Sequence, residues 1–345
     1  MWNRREFARL ATLAIASASS AGAAPAPRRR TAVKPKALAE GDTVGLVLPA
    51  TGAQTRDEIA FAKDQLEAAG FKVVLGQHVY DRYGYFAGRD RDRAADINAF
   101  FADDAIAGVV CYTGGWGSPR VLPYLDYDLI ARKPKVLIGY SDITALLNAV
   151  HQRSGIVTFH GPVGGSTFEP YTLDNFKRVV MTAAPAGTLA QPSKKPNELI
   201  DRTNRIVKLA PGKGSGRLAG GNLTLVASLM GTPYQVDSDG AILFLEDTHE
   251  EPYRIDRMLT QLAQGGMFDK VAGVIWGRCT DCTATGTTFS IEEILRDRFG
   301  SLRVPAISGL SFGHIEQKLT LPIGVMATLD GDAGTLSIDE AAVTA

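Results

Sequence analysis

Short apolar runs alternate with longer stretches whose apolar positions recur at helical spacing through the first half of the chain. Val44-Gly45-Leu46-Val47-Leu48 reads as a buried strand, and Thr55 to Ala69 as a helix with Ile59, Ala62, Leu66 and Ala69 on one face. Val73-Val74-Leu75 is the next strand, followed by a helix over Arg91 to Ala102 with Ala94, Ile97 and Phe101 turned inward. Strands at Val109-Val110-Cys111 and Val136-Leu137-Ile138 follow, and a helix begins after Ser141. This β–α alternation predicts a parallel sheet covered by helices on both faces.

The pattern then changes. From Ser166 to Pro211 the chain is polar, with Pro185, Pro192, Pro196 and the pair Lys194-Lys195, and reads as an irregular linker. Leu218 to Met230 opens a second region, with a strand over Ala241 to Leu245 and a helix over Tyr253 to Ala263. A strand at Val271 to Trp276 and a helix at Ile291 to Phe299 come next. Met326 to Leu329 and Thr335 to Ile338, flanking Asp330-Gly331-Asp332, predict a closing hairpin. The expected organisation is a leader over 1–36, an N-terminal α/β domain over 40–165, a linker over 166–211 and a C-terminal domain over 212–345.

In parallel sheets ligands bind beyond the carboxyl ends of the strands. Two features of this chain fall there. Gly114-Gly115-Trp116-Gly117 follows the Val109 strand, and Gly139-Tyr140-Ser141-Asp142 follows the Val136 strand. A serine at a strand-to-helix junction exposes its hydroxyl among unpaired helix N–H groups, donors suited to a developing oxyanion. A serine there also serves as a plain helix N-cap, and that reading stays open on these residues alone. The glycine loop lacks the Lys-Ser/Thr of a phosphate loop and the Gly-x-Gly-x-x-Gly register of a dinucleotide fold. Its glycines favour close backbone approach to a reacting carbonyl over phosphate binding.

Two later segments suit the same chemistry. Ile242-Leu243-Phe244-Leu245 ends in Glu246-Asp247, and Leu310-Ser311-Phe312-Gly313 leads to His314. A serine, a carboxylate and a histidine form the set needed for an activated nucleophile, defined by geometry and not by chain order. Spacing does not bring them together, and a strand-end Glu246 or a packed loop His314 accounts for either residue singly.

Length and composition narrow the class. A chain of 345 residues with 45% hydrophobic content has room for two ordinary cores. With 37 basic and 37 acidic residues the formal net charge is +0, so no general attraction to nucleic acid or an anionic bilayer follows. At the amino end, Arg4-Arg5 with Phe7 precedes a mild apolar stretch from Leu10 to Ala18 and the small-residue run Ala21-Gly22-Ala23. That pattern predicts a twin-arginine export signal, a Pro/Arg/Lys-rich leader over Pro25 to Lys36, and a periplasmic mature protein. The apolar core is too short for stable membrane insertion. Cys111 reads as a buried small hydrophobe. Cys279-x-x-Cys282 reads as inert thiols or, in an oxidising compartment, a disulfide, with zinc a distant alternative for want of further ligands.

An ordered set of motifs from about Val44 to Leu329 resembles the serine LD-carboxypeptidase family. The set comprises Tyr112-Thr113-Gly114-Gly115-Trp116-Gly117-Ser118, Gly139-Tyr140-Ser141-Asp142-Ile143-Thr144, Gly220-Gly221-Asn222-Leu223 and Gly231-Thr232-Pro233. It continues with Leu245-Glu246-Asp247, Arg254-Ile255-Asp256-Arg257-Met258-Leu259 and Phe312-Gly313-His314. The resemblance implies removal of the terminal D-alanine from peptidoglycan tetrapeptides, with Ser141 as nucleophile, His314 as general base and Glu246 as the acid that orients it. It implies an oxyanion hole from the N–H groups of Gly115 and Asp142, no metal or cofactor, and a homodimer. The expected fold is α/β, a flavodoxin-like N-terminal parallel sheet flanked by helices plus a smaller C-terminal α/β domain with a β-rich core. The expected partner is a muropeptide, with Gly114, Trp116 and Arg120 as substrate-binding residues and Arg120 or backbone N–H groups near Gly115 holding its terminal carboxylate.

Other readings remain on the same residues. A related amide hydrolase of the microcin-immunity type uses the same set on aminoacyl-nucleotide antibiotics, although export argues against a cytoplasmic toxin. An exported binding protein would use Ser141 only to hydrogen-bond a muropeptide. The α/β-hydrolase elbow Gly-x-Ser-x-Gly fails, because Ile143 stands at its last glycine position.

Overall fold

The computed structural model describes residues 32–345 apart from 195, 196, 198, 202 and 285. The Arg4-Arg5 motif and the Ala21-Gly22-Ala23 run lie outside the described residues, as does the leader before residue 32. The first half runs β1 (Thr43–Val47), α1 (Arg56–Ala68), β2 (Lys72–Leu75), α2 (Asp90–Ala102), β3 (Gly108–Cys111), the short helices α3 (Ser118–Val121) and α4 (Tyr127–Arg132), and β4 (Val136–Gly139). It closes with α5 (Ile143–Ser154) and β5 (Thr158–His160). The five strands pair in parallel in the order β5-β4-β3-β1-β2, the doubly wound order expected of a flavodoxin-like sheet.

Local chemistry sets these boundaries. Thr55 caps α1 by accepting the Glu58 N–H at 3.3 Å, and Ile59, Ala62 and Leu66 form the buried stripe the spacing predicts. β1, β3 and β4 are buried almost throughout, as strands covered on both faces must be.

The segment 166–211, read as an irregular linker, is not irregular throughout. It contains α6 (Pro170–Val180), β6 (Gly187–Thr188) and β7 (Val207–Ala210). Glu169 caps α6 by accepting the N–H groups of Tyr171 and Thr172, and Pro170 opens it. Phe176, Val179 and Val180 bury a helical stripe among the prolines and polar residues that mask it.

The second half runs β8 (Lys213–Asn222), α7 (Leu223–Ser228), β9 (Ala241–Thr248), α8 (Pro252–Gln264), β10 (Gly273–Thr280), α9 (Ile291–Phe299) and β11 (Ala306–Ser308), then β12 (Leu321–Ile323), β13 (Met326–Asp330) and β14 (Thr335–Ile338). These strands, with β6 and β7, form a mixed sheet in the order β6-β14-β13-β8-β9-β10-β11-β7, whose centre β8-β9-β10-β11 is parallel. The predicted β13–β14 hairpin is present. One strand crosses over: β12 leaves the second half of the chain to pair antiparallel with β5 at the edge of the first sheet.

Helix α5 joins the two sheets. It touches β4 and β5 on one side and β8 on the other, and every residue from Ile143 to Val150 is buried. Its polar side chains complete the joint. Asn148 exchanges hydrogen bonds with the Gly220 carbonyl and N–H at 2.8 and 3.3 Å, and Thr144 Oγ1 accepts the Asn222 N–H at 2.9 Å. Gly221, at φ 137°, permits this, since a Cβ there would lie 2.4 Å from Thr144 Oγ1.

Candidate active site

Ser141 follows the last residues of β4 with a φ of 66°, an uncommon backbone for a residue with a side chain. The N-cap of α5 is Asp142, whose side chain makes no cap bond to the helix. The N-cap role weighed for Ser141 is therefore not the one it fills. Asp142 instead accepts the Ser118 N–H at 2.7 Å through its carboxylate, and the Ser118 hydroxyl donates to its carbonyl. This ties the junction to α3. Burial raises the Asp142 carboxyl above its ordinary value, and the Ser118 hydrogen bonds work against that rise.

Glu246 reaches the same place from the second sheet through strand alternation. On β9, Leu243 and Leu245 face the core beneath the second sheet, while Ile242 and Phe244 face the core shared with the first sheet. Glu246 continues the second series and is fully buried. The loop after β11 supplies His314. Its Nδ1 lies 2.8 Å from Glu246 Oε2 and its Nε2 lies 2.8 Å from Ser141 Oγ. The three residues thus form one hydrogen-bonded chain across the two sheets.

Glu246 Oε1 and both ring nitrogens of His160 are buried without a partner among the described residues. His160 ends β5 and stacks on Phe244 at 5.4 Å between ring centroids. Burial holds it down to about 4, well below the ordinary imidazole value, against a smaller upward pull from Glu246. It is therefore neutral at pH 7. The Tyr140 ring packs edge-on against His314 at 5.0 Å, and Lys318 Nζ lies 4.4 Å from the centre of the same ring. Burial pulls the Lys318 ammonium down to about 8, opposed by the attraction of Glu246. Asp247, on the opposite face of β9, accepts from Asn222 Nδ2 at 3.0 Å and Thr224 Oγ1 at 2.9 Å, and burial followed by Glu246 pushes it up to about 6.

The glycine loop faces the serine. A Cβ on Gly114 would lie 2.7 Å from Ser141 Cβ and 3.0 Å from the Asp142 nitrogen. A Cβ on Gly115, at φ 98°, would lie 2.1 Å from Thr51 Oγ1. That hydroxyl accepts the Trp116 N–H at 2.9 Å, which pins the loop. Among the described residues no acceptor engages the N–H of Gly115 or Asp142.

The structure brings Ser141, Glu246, His314, Gly114 and Asp142 together, with Gly115 beside them. It places Trp116 and Arg120 at the periphery. The Trp116 ring is exposed and meets Tyr85 edge-on at 6.5 Å. The Arg120 guanidinium donates to both oxygens of Asp90 at 2.9 to 3.0 Å, so it has an anionic partner of its own. Sequence reasoning missed Tyr140, His160 and Lys318. His160 closes an apolar run at a strand end and carried a signal of the same kind as Glu246. Lys318 carried none.

This arrangement couples a hydroxyl to an imidazole and the imidazole to a buried carboxylate, beside the N–H groups of Gly115 and Asp142, which suits amide-bond cleavage. The family description LD-carboxypeptidase N-terminal domain matches residues 44–161, and LD-carboxypeptidase C-terminal domain matches residues 215–329. The chain belongs to the LD-carboxypeptidase family.

Among its relatives is the probable murein peptide carboxypeptidase of Bacillus subtilis (strain 168), 37% identical over 89% of this chain and 94% of that one. The murein tetrapeptide carboxypeptidase of Pseudomonas aeruginosa is 34% identical over 84% of this chain and 93% of its own length. The solved structure of the microcin C7 self-immunity protein MccF in its wild-type apo state has a TM-score of 0.81 at 29% identity, covering 90% of this chain and all of that one. As a member of the LD-carboxypeptidase family the chain is a peptidase, with the mixed α/β fold of its solved neighbours. Both family matches span the residues that build the site: Gly114, Gly115, Ser141 and Asp142 in the first, Glu246 and His314 in the second.

Proposed function

We propose that this LD-carboxypeptidase is a serine peptidase that removes the terminal D-alanine from peptidoglycan tetrapeptides. The observation that carries this reading is the continuous hydrogen-bonded chain Ser141–His314–Glu246 at 2.8 Å per link. Ser141 Oγ attacks the carbonyl carbon of the scissile bond while His314 Nε2 takes the hydroxyl proton. Glu246 holds the imidazole by Nδ1 and offsets the positive charge it gains. The Gly115 and Asp142 N–H groups donate to the oxyanion. His314 then returns the proton to the departing amine of D-alanine, and water, activated by the same imidazole, hydrolyses the acyl-enzyme.

The relatives support the substrate, since two of them are named for murein peptides. The amino-terminal pattern around Arg4-Arg5 supports export by the twin-arginine route and action in the periplasm. Among the described residues no helix is long and apolar enough to cross a membrane. A homodimer is part of the same proposal and is checked by light scattering of the mature protein.

One alternative has its own support. A solved microcin C7 self-immunity protein is in complex with aspartyl sulfamoyl adenosine, and its fold closely matches this chain. Hydrolysis of aminoacyl sulfamoyl nucleosides by the same residues is the second reading. The deciding experiment is mass spectrometry of mature protein incubated with L-Ala-γ-D-Glu-meso-diaminopimelate-D-Ala, and separately with aspartyl sulfamoyl adenosine. Loss of one D-alanine by wild type and not by Ser141→Ala supports the peptidase reading. Cleavage of the nucleoside alone transfers the assignment, and cleavage of neither leaves a binding role.

A further inference from the structure

His314 lies between β11 and β12, outside any strand or helix, so its backbone is held by neighbours. Two contacts from β10 do this. The Arg278 N–H donates to the Phe312 carbonyl at 3.2 Å, and Thr280 Oγ1 donates to the His314 carbonyl at 2.8 Å. Thr280 is clamped in turn by the end of β9. Its carbonyl accepts the His249 N–H at 2.9 Å and the Thr248 hydroxyl at 3.1 Å. The strand that carries Glu246 thereby grips the residue that grips His314.

The end of β10 is also irregular. Its register with β9 shifts between Trp276 and Cys279. Asp281 and His249 both adopt left-handed backbone, at φ 55° and 57°, and their side chains meet at 3.4 Å. Such conformations persist where the surroundings enforce them. Here a covalent restraint is present, because Cys279 and Cys282 form a disulfide whose ring contains Thr280 and Asp281.

We propose that Thr280 is a positioning residue for His314, and that the Cys279–Cys282 disulfide holds it in register, so that reducing this bond slows the enzyme. The proposal rests on the serine-peptidase reading. A dithiol reductant opens the ring by attack of its thiolate on one cysteine sulfur, which breaks the S–S bond and forms a mixed disulfide. Its second thiol then displaces the cysteine. The reductant leaves as its own cyclic disulfide, and two electrons and two protons remain on Cys279 and Cys282. The turn then keeps its hydrogen bonds without the ring that held their geometry. A base displaced by a fraction of an ångström from the attacking oxygen loses rate without losing substrate affinity.

The test compares wild type, Thr280→Val, Thr280→Ser and Cys279→Ser/Cys282→Ser, each with and without dithiothreitol. It reads kcat and KM on the tetrapeptide and the rate at which a fluorophosphonate labels Ser141. Thr280→Val is expected to lower kcat and labelling about ten-fold with KM unchanged, and Thr280→Ser to retain wild-type values. Reduction of the wild type is expected to lower both rates several-fold and reoxidation to restore them, while the double-serine variant ignores the reductant. Labelling and turnover within two-fold of wild type in Thr280→Val, or in the reduced enzyme, overturn the proposal. So does a loss that Thr280→Ser fails to rescue. If the wild type labels but leaves the tetrapeptide intact, the substrate reading fails while the labelling rates still decide the role of Thr280.

Discussion

Gly313 packs so closely on Glu246 that a Cβ at Gly313 would lie 2.7 Å from Glu246 Oε2, and its φ of 109° suits only glycine. This approach lets the next residue, His314, place Nδ1 at 2.8 Å from the same oxygen. Gly313→Ala is therefore expected to displace the histidine. A loss of kcat of about ten-fold or more and of stability by about 1–3 kcal/mol should follow. Steady-state kinetics and urea denaturation of the variant check both, and wild-type values would show that the loop approaches Glu246 with room to spare.

Removing the proposed nucleophile is a stronger change. Ser141→Ala should lower turnover by several orders of magnitude and abolish fluorophosphonate labelling while leaving substrate affinity near wild type. Retained turnover would assign the chemistry to another group.

Glu246→Gln keeps the size of the side chain but places an amide against His314 Nδ1. The imidazole then loses the partner that fixes its tautomer, and kcat should fall about 10³-fold or more with KM little altered. A drop below ten-fold would demote Glu246 to a packing role.

The glycine loop yields a fourth substitution. Gly114→Ala would push a methyl group against Ser141 Cβ and the Asp142 nitrogen, at 2.7 and 3.0 Å. Displacing the proposed oxyanion donors should cost about a hundred-fold in kcat. Measured kcat equal to wild type would place the oxyanion elsewhere.

His160 makes acid stability measurable. The folded protein holds it at about 4 through burial, below the ordinary imidazole value of 6.5. Between these values the unfolded chain binds the extra proton and the folded chain does not. Its contribution is full above pH 6.5 and is lost as pH falls toward 4, amounting to about 3 kcal/mol. Asp247, raised to about 6, works with the opposite sign, its contribution being lost as pH rises through that value. The difference between wild type and His160→Phe isolates the histidine. Urea midpoints at pH 7.5 and 4.5 should drop more in wild type than in the variant, and parallel drops would refute the assignment.

The proposed chemistry needs a hydroxyl, an imidazole and a carboxylate, so EDTA treatment should leave turnover unchanged. Loss on chelation, restored by a divalent cation, would count against the Ser141–His314–Glu246 mechanism.

Much of the fold was legible in the chain because its signals are local. The stripe of Ile59, Ala62 and Leu66, the Val136–Ile138 run before Ser141 and the β13–β14 turn each depend on residues a few positions apart. Helix α6 was hidden because its apolar stripe sits among prolines and charges, and its capping by Glu169 is a contact that composition obscures. The three residues of the hydrogen-bonded chain were legible as types at strand and loop ends. Lys318 was not, since nothing in its neighbours along the chain distinguishes a residue beside the site from one in the core.

By itself the sequence determined which segments become strand or helix, which glycines can approach another backbone, and which residue types stand where strands end. Tertiary structure alone decided that Ser141 and His314, 173 positions apart, share a hydrogen bond, and that Glu246, 68 positions from His314, completes the chain. It also gave Arg120 to Asp90 and set Thr280 against the His314 carbonyl. The physical reason is range. Periodicity and capping act within one turn or one pleat, whereas these contacts form only when α5 docks one sheet against the other and each strand's alternation has chosen its face.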